Sequence, residues 1–358
     1  MTNVLVTGAG GPFGVNLARS LNDAPESLRL IGTDANRWHL PLSICERTYL
    51  VPHASERAIY AAALAEVIKA ESIDVVVPSH PLEVRAVAEL HRHLGAAITL
   101  PRPSVLSIAE DKLATYKRLR ERNVAIPAFL GLGAPGQVDE AFATIAGRPI
   151  WIVGTGVPGI GLAGAELACR SPEMARAWVE HHQGWGKMAA VEYLPGASLS
   201  WMAGFADGVL LAAGAQECLE RVRSPEALSS RGAAPAVSRT VHRDDLARLA
   251  EHAVRAIDDK PHGLYLVDVK EDAKGALRVI DISAGRCSAT TAAYTDCGYN
   301  FPWLLVRLAR GDSVRPLPAP NTAIEPNVYW LHDLDCGPVA IRGSEAFDAF
   351  PRAGVDGA

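Results

Sequence analysis

The chain opens on a β-branched run, Val4 to Thr7, then a glycine turn, Gly8-Ala9-Gly10-Gly11-Pro12-Phe13-Gly14, and an amphipathic stretch, Val15 to Leu21. A short apolar run bounded by glycine reads as a strand and a 3.6-residue period as a helix, so the opening is strand, turn, helix. Leu28 to Asp34, Ile59 to Ala70 and Ile73 to Val77 continue as strand, helix and strand. Strands alternating with helices of these lengths predict a parallel, doubly wound sheet with right-handed crossovers. A charged helix is predicted over Ile108 to Asn123, stopped by Ile126-Pro127, with Pro101 to Ser104 as the linker that precedes it. Beyond it the pattern changes to separate β runs: Ile150 to Val153, a strand at Val191 ending in the Pro195-Gly196 turn, and Leu264 to Ser283. The tail from about Arg315 is expected to return as a final strand, with its last dozen residues frayed.

In Leu264 to Ser283 the alternation breaks at Lys274-Gly275, which predicts a hairpin on a two-residue turn. Pairing outward from that turn sets Asp268 directly opposite Asp281, with Ser283 on the same face. Like charges opposed across strands are unfavourable, and a shared cation removes the conflict. Hard oxygen ligands of this kind suit Mg²⁺, with phosphate oxygens completing its shell. The alternative is a bulge that turns one aspartate outward, or a pairing with Arg286 or Lys270. Arg286, three residues after Ser283, is aimed at the same place.

The uncharged stretch Pro149 to Ala165 carries five glycines, Gly154, Gly156, Gly159 and Gly161 among them. Such a loop folds its amides over phosphates, or serves as a lid or an exposed turn. Arg221 and Arg223, in a long polar stretch, either clamp a phosphate or carboxylate or stand solvated. The first glycine turn is spaced GxxGxxG, and Asp34 lies 20 residues past Gly14. That fits a ribose-binding carboxylate or simply close strand-helix packing. None of the eight tyrosines has a Lys four residues on, which argues against a short-chain reductase. His80, just past a strand, either caps its loop or meets a ligand. The remaining histidines form no zinc pattern.

Composition narrows the class further. The 358 residues are 49% hydrophobic and 21% charged, with 35 Lys+Arg against 40 Asp+Glu and no long block of like charge. A disordered tail and a nucleic-acid arm are thereby excluded. Six cysteines without a CxxC read as reduced thiols, the absence of a basic-then-apolar leader as no secretory signal, and no stretch is apolar enough for a membrane span. The expectation is a soluble, cytoplasmic α/β protein.

The succession VLVTGAGGPFGVNLARSL, IGTDAN, LVPHAS, IDVVVPSHPLEV, DKLATYKRL and VAIPAF resembles the carbamoyl-phosphate-synthase-like branch of the ATP-grasp superfamily. The likeness continues through RPIWIVGTGVPGIGLAG, AAVEYLPGASLSWM, LYLVDVKEDAKGALRVIDISAGR and VYWLHDLDCGP, covering nearly the whole chain in order. It implies a Rossmann-like pre-domain (1–103), a connecting helix and first ATP-grasp lobe with the glycine loop (104–195), a second lobe with the metal hairpin (196–315), and a tail packing back on the body (316–358). By the same resemblance ATP and Mg²⁺ are the cofactors, and Lys112 reaches the nucleotide phosphates together with Gly154, Gly156, Gly159 and Gly161. Glu192 and the Leu194 backbone meet the adenine, Ser198 stands at the ribose position, and Asp268, Asp281 and Ser283 hold the metal. Arg286 and Arg223 are the expected catalytic cations.

Three positions depart from the pattern: Val153 stands for a Lys or Arg, Ser198 for a ribose-binding Glu, and Ser283 for an Asn metal ligand, while Asp281 is one methylene shorter than the usual Glu. Each lost charged contact is worth about 1.5 to 3 kcal/mol. The implied activity is a ligase that activates a carboxylate as an acyl phosphate for attack by an amine. The alternative is an ATP-grasp-shaped protein with weakened or lost turnover that binds or regulates. Expected partners are small carboxylates and amines and, among proteins, a second copy in a homodimer, with neither nucleic acid nor membrane.

Overall fold

The computed structural model describes residues 1–90, 93–156, 162, 165–221, 235–332 and the backbone of 339–342. The first sheet holds β1 (Thr2–Thr7), β2 (Leu28–Asp34), β3 (Arg47–Leu50) and β4 (Val75–Val77), all parallel, in the order β3-β2-β1-β4. Helices α1 (Pro12–Asn22) and α2 (Arg57–Ala70) make the crossovers, and α3 (Pro81–Leu90) follows β4. The chain winds from β1 to β3 on one side and then places β4 on the other. The switch point of the sheet therefore lies between β1 and β4, where a crevice opens at the carboxyl ends of the strands. Gly14 serves packing, since a Cβ there would sit 2.1 Å from the Gly8 carbonyl oxygen. Asp34 is likewise engaged within the turn: its carboxylate accepts the Gly10 amide at 3.0 Å and the Asn36 amide at 2.9 Å.

The single helix predicted over Ile108 to Asn123 is two helices, α4 (Pro103–Glu110) and α5 (Lys112–Glu121). Asp111 breaks them, because its backbone is extended and its Oδ1 accepts the amides of Leu113 and Ala114 at 2.9 and 3.2 Å. An aspartate N-cap satisfies helix-end donors better than helix continuation does. Pro103 is the first residue of α4, so the predicted linker runs straight into a helix.

A second sheet follows, built from β5 (Phe129–Leu132), β6 (Ile150–Gly154), β7 (Glu166–Cys169) and β8 (Met188–Glu192). Its order is β5-β8-β6-β7 and its pairs are antiparallel. Val138, Phe142, Ala175 and Val179 of α6 (Gly136–Thr144) and α7 (Pro172–His181) cover one face.

The third sheet has seven antiparallel strands in the order β13-β12-β9-β10-β11-β14-β15. They are β9 (Ser198–Ala206), β10 (Val209–Arg221), β11 (Pro235–Val241), β12 (Gly263–Glu271), β13 (Leu277–Ala284), β14 (Val328–Leu331) and β15 (Val339–Arg342). One face sends Trp201, Phe205, Tyr265 and Val267 into a core closed by α8 (Asp244–Ile257), α4 and α5. The other face is divided along its length. Met202, Leu264 and Leu266 pack under α9 (Thr291–Asp296), α10 (Phe301–Ala309) and α1, while the rest of that face turns polar and open. Five cysteines are free thiols among the described residues, and no helix among them is long and apolar enough to cross a membrane.

Candidate functional site

The period-2 alternation of strands decides which side chains form the open face. On β9, β10 and β12 the cross-strand rows are Asp268–Ser200–Gln216 and Lys270–Ser198–Cys218, and every member of both rows lines one cavity of about 690 Å³. Ser200 Oγ donates to Asp268 Oδ1 at 2.5 Å, and Gln216 Nε2 donates to Thr290 Oγ1 at 3.0 Å. The intervening residues, Leu199, Trp201, Val267 and Val269, face the core beneath.

The hairpin opposes Asp268 and Asp281, though by a different route from the expected tight turn. Its tip is wider than two residues: the Asp272 carboxylate accepts the Lys274 and Ala276 amides, and Asp272 N donates to Ala276 O. From that tip the register would set Asp268 against Ile280. A bulge between Asp268 and Val269, with Ile280 as the extra residue on β13, moves Asp281 opposite Asp268 instead. The displaced Ile280 carbonyl accepts the Tyr116 hydroxyl at 2.9 Å. The Asp111 cap makes Lys112 the first residue of α5, and its nearly buried Nζ lies 3.6 Å from Asp281 Oδ1. Arg286 Nη2 donates to Ser283 Oγ at 2.8 Å, and its guanidinium lies 5.3 Å from the centre of the Phe13 ring, at the start of α1. Burial lowers the pKa of Arg286, while Asp281 and Asp268 oppose that by favouring its charge.

The roof of the cavity is apolar. Trp151, Gly154 and Gly156 come from β6 and its exit, and Tyr193 from the turn after β8, its ring 5.7 Å from that of Trp151. Gly154 is required by close approach, since a Cβ would meet the Leu162 carbonyl at 1.7 Å where the chain doubles back.

Of the sequence-predicted site residues, Lys112, Gly154, Gly156, Ser198, Asp268, Asp281, Ser283 and Arg286 all line this cavity. Glu192 does not: its carboxylate accepts the Ala128 amide at 3.0 Å and ties β8 to the segment before β5. Leu194 is buried, and the residue of that turn which does line the cavity is Tyr193. Gly159, Gly161 and Arg223 lie outside the described residues. Ser200, Gln216, Lys270 and Trp151 were not singled out as site residues. Lys270 was the most accessible of these to sequence reasoning, two residues beyond Asp268 on a period-2 strand.

Solved structures place this architecture. The N5-carboxyaminoimidazole synthetase of Staphylococcus aureus in complex with ADP superposes with TM-score 0.68 and 15% identity, over 93% of this chain and 82% of that one. The L-amino acid ligase of Bacillus licheniformis gives 0.64 and 14% over 92% and 79%. The biotin carboxylase domain of Hydrogenobacter thermophilus 2-oxoglutarate carboxylase gives 0.66 and 15% over 91% and 73%. The fold is ATP-grasp. No protein-family model and no curated protein matches the sequence, so the likeness rests on structure.

Within the ATP-grasp frame, Val153 is an apolar packing residue, buried with Tyr116, Ala189 and Val191, and supplies no charge to the roof. Ser198 Oγ accepts from Arg221 Nη2 at 2.9 Å. A second cavity of about 330 Å³ opens at the β1–β4 switch point and shares Pro12 and Phe13 with the first. Glu83 sits in its wall, 6% exposed, accepting the Thr7 hydroxyl at 2.8 Å and the His80 amide at 3.3 Å. Burial, with Asp34 nearby, raises its pKa to about 7 against those hydrogen bonds. His80 caps α3: its Nδ1 accepts the Leu82 amide at 3.3 Å.

Proposed function

We propose that the chain is an ATP- and Mg²⁺-dependent ligase that activates a carboxylate as an acyl phosphate for attack by an amine. The observation that supports it most is the convergence of Lys112, Arg286 and the opposed Asp268–Asp281 pair in one cavity. Asp268, Asp281 and Ser283 are the residues that would hold Mg²⁺. The fit is chemical: two carboxylates and a hydroxyl are hard oxygen donors, and they suit a hard cation that keeps water and phosphate oxygens as its other ligands. When bound, Mg²⁺ neutralises charge on the transferring phosphoryl group.

The chain's own residues do the rest by position and charge. Lys112 is presented from the first turn of α5 toward the phosphate oxygens. Arg286, steadied by Ser283 and the Phe13 ring, holds the substrate carboxylate and then the acyl phosphate. Trp151 and Tyr193 offer an apolar surface to the base and exclude water. A carboxylate oxygen bonds to the γ-phosphorus as ADP leaves with the bridging oxygen. The amine then bonds to the acyl carbon as inorganic phosphate leaves, its surplus proton passing to solvent. No protein nucleophile takes part.

The test is ADP release from ATP and Mg²⁺ over pools of amino acids and small acids. Asp281→Ala abolishes release if the assignment holds, and unchanged release overturns it. A second reading, nucleotide binding without turnover, is favoured by Val153 and Ser198, which bring no charge to the nucleotide. Thermal stabilisation by ATP and Mg²⁺ with no ADP from any pool is its signature.

A further inference from the structure

A buried chain of hydroxyls decides which way one side chain of the large cavity faces. The segment that leaves β13 crosses the cavity floor: Arg286 bonds to Ser283 on β13, and Thr290 bonds to Gln216 on β10, with β12 and β9 between. Gln216, Ser288, Thr290 and Thr291 are all buried, and each hydroxyl has one hydrogen to give. Thr291 gives its hydrogen to the Ser288 carbonyl at 2.8 Å, since a carbonyl only accepts. In the 3.4 Å contact between Ser288 Oγ and Thr291 Oγ1 the donor is therefore Ser288, and in the 3.0 Å contact between Ser288 Oγ and Thr290 Oγ1 it is Thr290. Thr290 has then no hydrogen left and accepts from Gln216 at 3.0 Å, which turns the amide nitrogen of Gln216 to Thr290 and Oε1 away from it. Among the described residues nothing donates to that Oε1. Gln216 is 6% exposed and lines the cavity, and a carbonyl oxygen so placed costs free energy until a donor reaches it.

We infer that Gln216 is a specificity-determining residue whose Oε1 accepts a hydrogen bond from an amino or hydroxyl group carried by the carboxylic acid substrate. This rests on the ligase reading above and deepens it by naming the class of acid, an amino or hydroxy acid rather than a plain alkyl acid. Gln216 shares the cross-strand row of Asp268 and Ser200, two strand spacings or about 10 Å from Asp268. An acid whose carboxylate is held by Arg286 beside the aspartate pair extends its carbon chain toward that end of the row. Ser288, Ala289 and Thr290 line the cavity there and carry no charge, so recognition at this end is by hydrogen bonding. An acid without a donor displaces water and leaves Oε1 buried and unpaired, and that penalty is what discriminates. Thr290 acts through Gln216 as a positioning residue, holding the carboxamide in the orientation that presents oxygen.

The experiment measures kcat/KM for ADP release from Mg²⁺-ATP by the full chain, with hydroxylamine as the amine and two matched sets of acids: propionate, lactate and alanine, then butyrate, 3-hydroxybutyrate and 3-aminobutyrate. Wild type is compared with Gln216→Met, Thr290→Val and Thr290→Ser, each with its melting temperature as a folding control. The expected result is a wild-type preference of about tenfold or more for a hydroxy or amino acid over its alkyl counterpart. Gln216→Met loses that preference, Thr290→Val weakens it by freeing the carboxamide to turn, and Thr290→Ser keeps it. The hydroxy and amino members of each set tell which donor Oε1 takes. Alkyl acids used as well as their counterparts by wild type, or a preference that survives Gln216→Met, overturns the inference and leaves the ligase proposal standing. An equal loss for every acid in Gln216→Met assigns the residue to the nucleotide or its metal and overturns the inference too. Where Gln216→Met does not fold, an unchanged preference in Thr290→Val overturns it. Wild type releasing ADP with none of these acids overturns both readings.

Discussion

The two cavities of this protein both hold carboxylates, and they surround them with opposite materials. In the large one, Asp268 and Asp281 have Lys112 and Arg286 as neighbours, and the Ser200 hydroxyl donates to Asp268. In the small one, Glu83 has another carboxylate, Asp34, together with imidazoles and a threonine, and no Lys or Arg is among the described residues that line it. The same functional group is therefore set among cations in one place and pushed toward keeping its proton near neutrality in the other. They meet at Pro12 and Phe13, so a ligand bridging them would encounter both conditions.

The largest expected effect breaks the comparison on its charged side. Asp281→Ala reduces ADP release below detection, and release surviving there removes the distinction between the cavities. Next is Glu83→Gln. With its folded pKa raised from 4.5 to about 7, Glu83 contributes most to stability below pH 4.5, and the contribution is lost as pH rises through about 7. At about 1.36 kcal/mol per pH unit, the loss amounts to about 3 kcal/mol. Urea unfolding from pH 4.5 to 8 then shows Glu83→Gln gaining about that much on wild type, whereas a constant difference contradicts the uncharged state assigned to Glu83. A smaller effect sharpens the contrast within the large cavity. Val153→Ala lowers unfolding free energy by about 2 kcal/mol through the void it leaves, while nucleotide affinity stays within about twofold of wild type. A large loss of affinity there gives the roof a binding role beyond packing.

The sequence made most of the framework readable, because β1, β2, α2 and β4 announce themselves by period and by glycine punctuation. It also brought Asp268 and Asp281 together, but the agreement concealed two compensating departures, a wider tip and the Ile280 bulge. Bulges leave no periodic signature, which is also why Arg221 could be read as solvated as readily as clamped. The break at Asp111 was missed because the charged run on both sides has one helical period, and only the capping geometry separates α4 from α5. The roof was the least legible part. Trp151 and Tyr193 meet through the pairing of β6 with β8, a non-local event that no local pattern encodes.

The Tyr116 hydroxyl on the Ile280 carbonyl works as a rivet. α5 precedes the second four-stranded sheet in the chain and packs against it through Tyr116, but it also packs with α8 against the seven-stranded one, and the rivet fastens it to β13 at the bulged residue. Lys112 and Asp281 are thereby carried on one chassis. Because the same Tyr116 ring is buried with Val153, Ala189 and Val191 of the roof, one side chain joins the roof to the strand that carries Asp281 and to the helix that carries Lys112.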